Sequence, residues 1–289
     1  MIIMDGRKIK ENILNNLKIE IDKLKLKPSL TVIQVGNDEA SNIYVKQKKN
    51  MASFLGYTFN HIGLEENITE EELLDLIDKL NKDKTINGIL VQMPLPKHID
   101  EARIQNKINE YKDVDGLTDI NSGRLFHNKE CLLPCTPYGI MELLDYYNIN
   151  VEGKNVTIIG KSNLVGKPLS MLMLNKGATV TICHSKTKNI SELTKNADIL
   201  VVAVGKRNLV NANMVKDNAI VIDVGINRDE NNHMCGDVDF ENVKNKASYI
   251  TPVPYGVGQL TVAMLGVNVY KAYMMQNNGS LSNSGCNPK

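Results

Sequence analysis

Tyr44 and Lys48 stand four residues apart in a stretch with helical spacing, so they share one face. A lysine can move protons near neutrality only if its surroundings disfavour the charged form, because it ordinarily titrates at about 10.4. On spacing alone, Lys46-Gln47-Lys48-Lys49 reads as a solvated run. A second candidate is Gln92, which follows the apolar run from Gly88 and is flanked by Val91 and Met93. A polar amide closing a buried strand needs hydrogen-bond partners. Strand C-terminal ends are also where α/β folds gather ligands. Third, Lys112-Asp113-Val114-Asp115-Gly116 sets two carboxylates beside a glycine turn, a pattern an Asx turn shares. Fourth, Pro252-Val253-Pro254-Tyr255-Gly256-Val257-Gly258 is a stiff connection between an apolar run and a helical one.

A different chemistry is written in Gly160-Lys161-Ser162-Asn163-Leu164-Val165-Gly166-Lys167-Pro168. Small residues at 160, 162 and 166 let backbone approach a phosphate, and Pro168 suits a first helical turn. A helix N-terminus there offers N–H groups and partial positive charge to an anion. The pattern departs from G-x-G-x-x-G, so a plain strand-to-helix turn also fits. The next apolar run ends Cys183-His184-Ser185-Lys186-Thr187, with a hydroxyl and a cation and no carboxylate. An acid at that place would select the ribose hydroxyl of NAD. Ser185, Lys186 and Lys161 instead suit a 2′-phosphate, which favours NADP.

These groups need a frame. Ile9, Ile13, Leu17, Ile21 and Leu24 recur at helical spacing after Asp5. Strand-like runs at 30–35, 57–64 and 88–93 alternate with helical stretches at 39–55 and 70–80. Gly56 closes the first of these, and Thr69 with Glu72 forms a capping box opening the second. The alternation predicts a parallel sheet covered by helices. From Thr136 it restarts: a helix over 138–147, then β-rich runs at 155–159, 178–183, 199–204 and 219–224. This is a second α/β unit, wound like a dinucleotide-binding fold. A last helix is expected over 261–275. The predicted architecture is α/β with two domains, a catalytic α/β domain and a Rossmann-like, doubly wound nucleotide domain. Residues 1–137 and 262–289 are assigned to the first and 138–261 to the second. The Asn-, Gly- and Ser-rich stretch from Asn277 is expected to be disordered.

The 289 residues suit two domains, and a net charge of +1 provides no field for nucleic acid or anionic membrane. No apolar run reaches the ~20 residues of a transmembrane helix, and no signal peptide opens the chain. Five scattered cysteines without a C-x-x-C pair argue against disulfides and zinc and point to a reducing cytoplasm. The histidines show no ligand spacing, so no metal is assigned. Cys135 reads as a packed thiol.

Taken together, these motifs resemble the methylenetetrahydrofolate dehydrogenase/cyclohydrolase family. The matching stretches are Tyr44 to Lys48, Val91 to Pro96, Lys112 to Gly116, Pro134-Cys135-Thr136-Pro137, Gly160 to Pro168, Gly236-Asp237-Val238-Asp239-Phe240 and Ile250 to Gly258. They stand in the family's order from Asp5 to Tyr270. The resemblance implies NADP-linked oxidation of 5,10-methylenetetrahydrofolate, then hydrolysis of the methenyl cation to 10-formyltetrahydrofolate, in one-carbon metabolism and purine biosynthesis. It also implies an interdomain cleft and a homodimer through the nucleotide domain. By resemblance Lys48 is the acid/base of hydrolysis and Gln92 orients it. Tyr44 packs on the aminobenzoyl ring and Asp115 holds the pterin. Val91, Met93, Pro254, Tyr255, Gly256, Val257 and Gly258 line the folate, and Gly160, Lys161, Ser162, Ser185 and Ile226 hold NADP. Two departures bear on function. Lys161 stands where the family usually has arginine, losing bidentate phosphate recognition. Tyr255, Gln259 and Leu260 stand where it usually has Gly, Pro and Met. If that glycine has positive φ, Tyr255 is strained.

Overall fold

A computed structural model describes residues 1–278 of the chain. In order it runs β1 (Ile2–Ile3), α1 (Gly6–Asp22), β2 (Ser29–Val35), α2 (Glu39–Leu55), β3 (Thr58–Leu64), α3 (Glu70–Lys82), β4 (Gly88–Val91), α4 (Glu101–Lys107), α5 (Asp119–Phe126) and α6 (Cys135–Tyr146). It continues β5 (Asn155–Ile159), α7 (Gly166–Asn175), β6 (Thr179–Cys183), α8 (Ile190–Thr194), β7 (Ile199–Val202), β8 (Ile220–Asp223), β9 (Asn227–Arg228), β10 (Met234–Cys235), α9 (Phe240–Val243), β11 (Tyr249–Ile250) and α10 (Gly258–Asn278). It divides into two compact units, one of residues 14–133 with the chain from 265 onward, the other of 1–13 with 134–264.

In the first unit a three-stranded parallel sheet is ordered β3-β2-β4. The central β2 is buried along its whole length, its Ser29, Thr31 and Gln34 included, as befits the middle strand of a covered parallel sheet. Ile33, Ile77, Ile89, Val91 and Ile104 form the core on one side. α2 starts where Asp38 accepts from Ser41 N, and it ends at Gly56 in left-handed conformation, φ 77°. The capping box of Thr69 and Glu72 is present at α3. Lys112 closes the other end of α3, its Nζ donating to the carbonyls of Leu80, Asn81 and Asp83 at 3.0, 2.8 and 2.7 Å. Burial pulls this lysine below its usual range, while the three carbonyls lie where a helix end favours a cation. Two helices here escaped the sequence reading. α4 and α5 bury two residues each, Ile104 with Gln105 and Asn121 with Leu125, too few for a periodic signal.

The second unit carries a six-stranded sheet ordered β1-β11-β8-β7-β5-β6, every pair parallel. From β5 the chain steps outward to β6, then returns to the other side as β7, so the switch point lies between β5 and β7. Met4, Ile9, Ile140, Ile158, Val201 and Leu260 share its core. The four strands read from sequence are there. β11 and β1 extend the sheet, but strands of two residues cannot display alternation. The opening residues 1–13 thus lie with this unit, Ile2 and Ile3 pairing with Tyr249 and Ile250. α10 is longer than expected, starting at Gly258 and continuing through Asn278. Asn277 is therefore helical, and the remainder of the tail expected to be disordered, 279–289, lies outside the described residues.

Candidate active site

In the first unit Lys48 Nζ donates to Gln92 Oε1 at 2.6 Å. Gln92 Nε2 donates to Met93 O at 2.7 Å, which sets the amide so that its oxygen faces the lysine. The Gln92 backbone N–H bonds Ile33 O at 2.8 Å, fixing the residue at the end of β4 against β2. The pair thus joins a helix to a strand end across 44 residues of sequence. Tyr44, one turn before Lys48, is 44% exposed and offers a free aromatic face. Val91 is buried, whereas Met93 is partly open.

The two aspartates of the glycine turn part company. Asp113 is fully buried and accepts from Thr118 N at 2.8 Å, Asn121 Nδ2 at 2.9 Å and Gln105 Nε2 at 3.1 Å. It folds the turn. Asp115 stays half-buried, ahead of Gly116 at φ 69°. Ile89 N bonds Lys112 O at 2.8 Å, and Ile89 bridges Asp113 in parallel. The bridge sets the 112–116 turn against β4, the strand after which Gln92 stands.

In the second unit every strand of the main sheet runs the same way, so all C-terminal ends share one edge. Gly160 to Ser162 follow β5, Ser185 follows β6, Ile226 follows β8 and 254–258 follow β11. Gly160 has φ 130°, and a Cβ there would lie 2.4 Å from Ala203 O. A Cβ on Gly166 would lie 2.0 Å from Gly160 O. The turn ahead of α7 therefore has no space for side chains at either glycine, while Lys161 and Ser162 are exposed beside it. Beyond β6, His184 N donates to Thr187 Oγ1 at 2.9 Å and Thr187 N to His184 O at 2.8 Å. This tight turn presents Ser185 and Lys186 to solvent. Glycine cradle, helix N-terminus, hydroxyls and lysines suit a dinucleotide with an extra phosphate.

Tyr255 has φ 82°, meeting the condition for strain read from the sequence. Residues 5–7, which sequence reasoning missed, hold it. Gly6 N donates to Tyr255 O at 2.8 Å, and the Arg7 guanidinium lies 4.4 Å from the ring centroid. Asp5 grips Arg7, Nη2 to Oδ2 at 2.6 Å. A Cβ on Gly6 would meet Gly256 O at 2.2 Å, so only glycine allows the approach. Val257 is 1% exposed and packs in the core, leaving only its backbone to face a ligand.

Asp223, which sequence reasoning missed, and Asp237, which it named only within a motif, are buried near the strand ends. Burial pushes the Asp223 carboxyl up to about 6, against three backbone donors that pull it down. Burial likewise raises the Cys131 thiol to about 11 and lifts Cys183. Cys135 is buried. Among the described residues, no helix is long and apolar enough to cross a membrane.

Two family models match this chain. "Tetrahydrofolate dehydrogenase/cyclohydrolase, NAD(P)-binding domain" covers residues 134–277, and "Tetrahydrofolate dehydrogenase/cyclohydrolase, catalytic domain" covers 4–115. The bifunctional protein FolD of Agathobacter rectalis is 50% identical over 273 residues, 93% of this chain and 98% of that one. The crystal structure of the bifunctional enzyme FolD, a methylenetetrahydrofolate dehydrogenase/cyclohydrolase from Campylobacter jejuni, superposes with a TM-score of 0.93. It is 48% identical, over 94% of this chain and 98% of that one. A Trypanosoma brucei FolD, complexed with NADP cofactor and inhibitor, gives a TM-score of 0.90 at 34% identity, covering 94% and 97%.

Proposed function

Because the chain belongs to the tetrahydrofolate dehydrogenase/cyclohydrolase family, we propose that the groups described above divide that family's two reactions between them. The protein oxidises 5,10-methylenetetrahydrofolate with NADP and hydrolyses the resulting 5,10-methenyltetrahydrofolate to 10-formyltetrahydrofolate. It is a multifunctional enzyme of one-carbon metabolism.

The observation that carries the site assignment is the Lys48–Gln92 bond of 2.6 Å. Gln92 is locked by its own bond to Met93 O, so it can hold the lysine amine in one place. There Lys48 takes one proton of the attacking water and returns it to the ring nitrogen as the C–N bond opens, while the second water proton leaves to solvent as the formyl C=O forms. The cationic methenyl carbon beside it favours the neutral amine at the moment the proton must be taken. Asp115 accepts from pterin N–H donors at the adjacent strand end. Tyr44 offers its open face to the aminobenzoyl ring. Val91 and Met93 are folate-lining residues of the first unit, and residues 254–258, Val257 through its backbone, are folate-lining residues of the second. Residues 134–264 form the nucleotide-binding part, in which Gly160, Lys161, Ser162, Ser185 and Ile226 hold NADP. NADP when bound supplies the hydride acceptor. The protein's share of that step is to hold the two reacting carbons together and exclude water.

The reading extends to a homodimer through the nucleotide-binding unit. It is supported by β6, an outer strand of the six-stranded sheet whose burial is only partial. A light-scattering mass of one chain would overturn that assembly. Among the described residues the cysteines Cys131, Cys135, Cys183 and Cys235 form no disulfide, which supports a cytoplasmic setting.

One assay tests the chemistry: 5,10-methylenetetrahydrofolate with NADP or NAD, following reduced cofactor and methenyl species at separate wavelengths. Reduced NADP with only transient methenyl is expected. Accumulating methenyl would mean that the hydrolase half fails, with Tyr255 and Gln259 the first suspects. No reduction with either cofactor would sink the site assignment.

A further inference from the structure

The motif Gly236-Asp237-Val238 has no part in the chemistry above, yet its aspartate is among the most heavily engaged side chains of the second unit. Asp237 is fully buried. Its Oδ2 accepts from the backbone of Val204 at 2.8 Å and Gly205 at 3.0 Å. Its Oδ1 accepts from Lys206 N at 2.6 Å and from Asn227 Nδ2 at 2.9 Å. Four donors fill the acceptor capacity of one carboxylate. Asp223 is held in a similar way by three backbone donors. It accepts from Gly225 N at 3.0 Å, Asp237 N at 3.0 Å and Val238 N at 2.8 Å. The fit leaves no slack: a Cβ on Gly225 would lie 2.2 Å from Asp237 Cγ, and one on Gly236 would lie 1.9 Å from Asp223 Oδ2.

The loops so tied carry two apolar side chains that are not buried. Val204 is 39% exposed at the end of β7, and Ile226 is 52% exposed at the end of β8. β7 and β8 are neighbours. Ala203, before Val204, presses against Gly160 of the glycine turn. Asp237 bonds the amide of Val204 itself and the side chain of the residue after Ile226. One carboxylate therefore sets the positions of both.

We propose that Asp237 is a positioning residue of the cofactor site, holding Val204 and Ile226 as an apolar platform for one flat ring of the bound dinucleotide. The inference rests on the nucleotide reading of this unit. Side chains free to shift would have to be ordered at the moment of binding, at a cost in affinity. The staple removes that cost before the ligand arrives. Asp237 touches no reacting atom. Its effect should fall on cofactor binding and leave intact the hydrolysis assigned to Lys48 and Gln92 of the other unit.

The test uses the whole enzyme. NADP affinity is measured by isothermal titration for the wild type, Asp237→Asn and Asn227→Ala. Hydrolysis of 5,10-methenyltetrahydrofolate is measured on the same samples without added cofactor. Loss of a charge-assisted bond should weaken NADP binding roughly tenfold in Asp237→Asn and about threefold in Asn227→Ala. Hydrolysis should stay within about twofold of wild type in both. NADP affinity unchanged in both variants overturns the proposal. So does hydrolysis that falls in step with binding, which would mean a general structural role. If Asp237→Asn does not fold, Asn227→Ala decides, because it leaves the three backbone bonds in place. A wild type that hydrolyses the substrate but binds no NADP would fail the nucleotide reading instead.

Discussion

At the scale of single residues, the structure separates groups that look alike in sequence. Lys46, Lys48 and Lys49 form one basic run, but it is Lys48 whose Nζ reaches the amide locked at the end of β4. Lys48→Met keeps the length and loses the proton carrier. Hydrolysis of methenyltetrahydrofolate should fall by at least ~100-fold, the usual weight of a positioned acid/base. Binding of NADP should be unchanged. Hydrolysis retained in a stopped-flow assay would remove Lys48 from that role. Asp113 and Asp115 show the same separation. The buried one folds the turn, and the other stays half-buried at its edge. The departure at Tyr255 implies strain if the backbone there is left-handed, and its φ of 82° meets that condition. The cation that covers its ring comes from Arg7, 248 positions earlier in the chain, which no spacing argument could have found.

At the scale of elements, the site depends on how strand ends and helix ends are closed. Lys112 donates to three carbonyls at the end of α3 and through its own carbonyl ties residues 112–116 to β4. It thus couples a helix end to the turn that bears Asp115. Lys112→Met strands three carbonyls and removes a cation from a helix C-terminus. The expected cost is roughly 2–4 kcal/mol, read as a lower urea midpoint at unchanged slope. KM for the folate substrate should rise. An unchanged midpoint would mean that solvent replaces the ammonium at no cost. Capping was legible beforehand at Thr69 with Glu72 and at Gly56, because those devices are local in sequence. The Lys112 cap was not, since its acceptors lie 29 to 32 positions away.

At the scale of the molecule, the buried Asp223 links stability to pH. Burial is the largest influence on it and raises its carboxyl to about 6 in the fold, well above the ordinary 3.8. Between those values the folded chain holds a proton that the unfolded chain has released. Stability therefore falls as pH rises through that window and is level above it. At neutral pH the charged Asp223 is a cost, accepted because its oxygens hold three backbone N–H groups on two segments. Unfolding free energies of the wild type and Asp223→Asn, measured from pH 4 to pH 8, should show this as a difference. The wild type should lose ground against the variant between about pH 4 and 6 and run parallel to it above. A constant difference across the range would show that the fold does not perturb this group.

The sequence by itself determined the alternation of helices and strands, the parallel sheets that follow from it, and the motifs that carry the folate and NADP chemistry. These are local: hydrophobic period, caps and glycine turns are each written within about ten consecutive residues. Tertiary structure alone decided the rest. It paired β1 with β11, brought Lys48 to Gln92, chose between Asp113 and Asp115, and set Asp237 under two strand ends. The physical reason is common to all four. Each depends on which backbone donors and side chains meet after distant segments pack, and two-residue strands or lone carboxylates leave no periodic trace of that meeting in the chain.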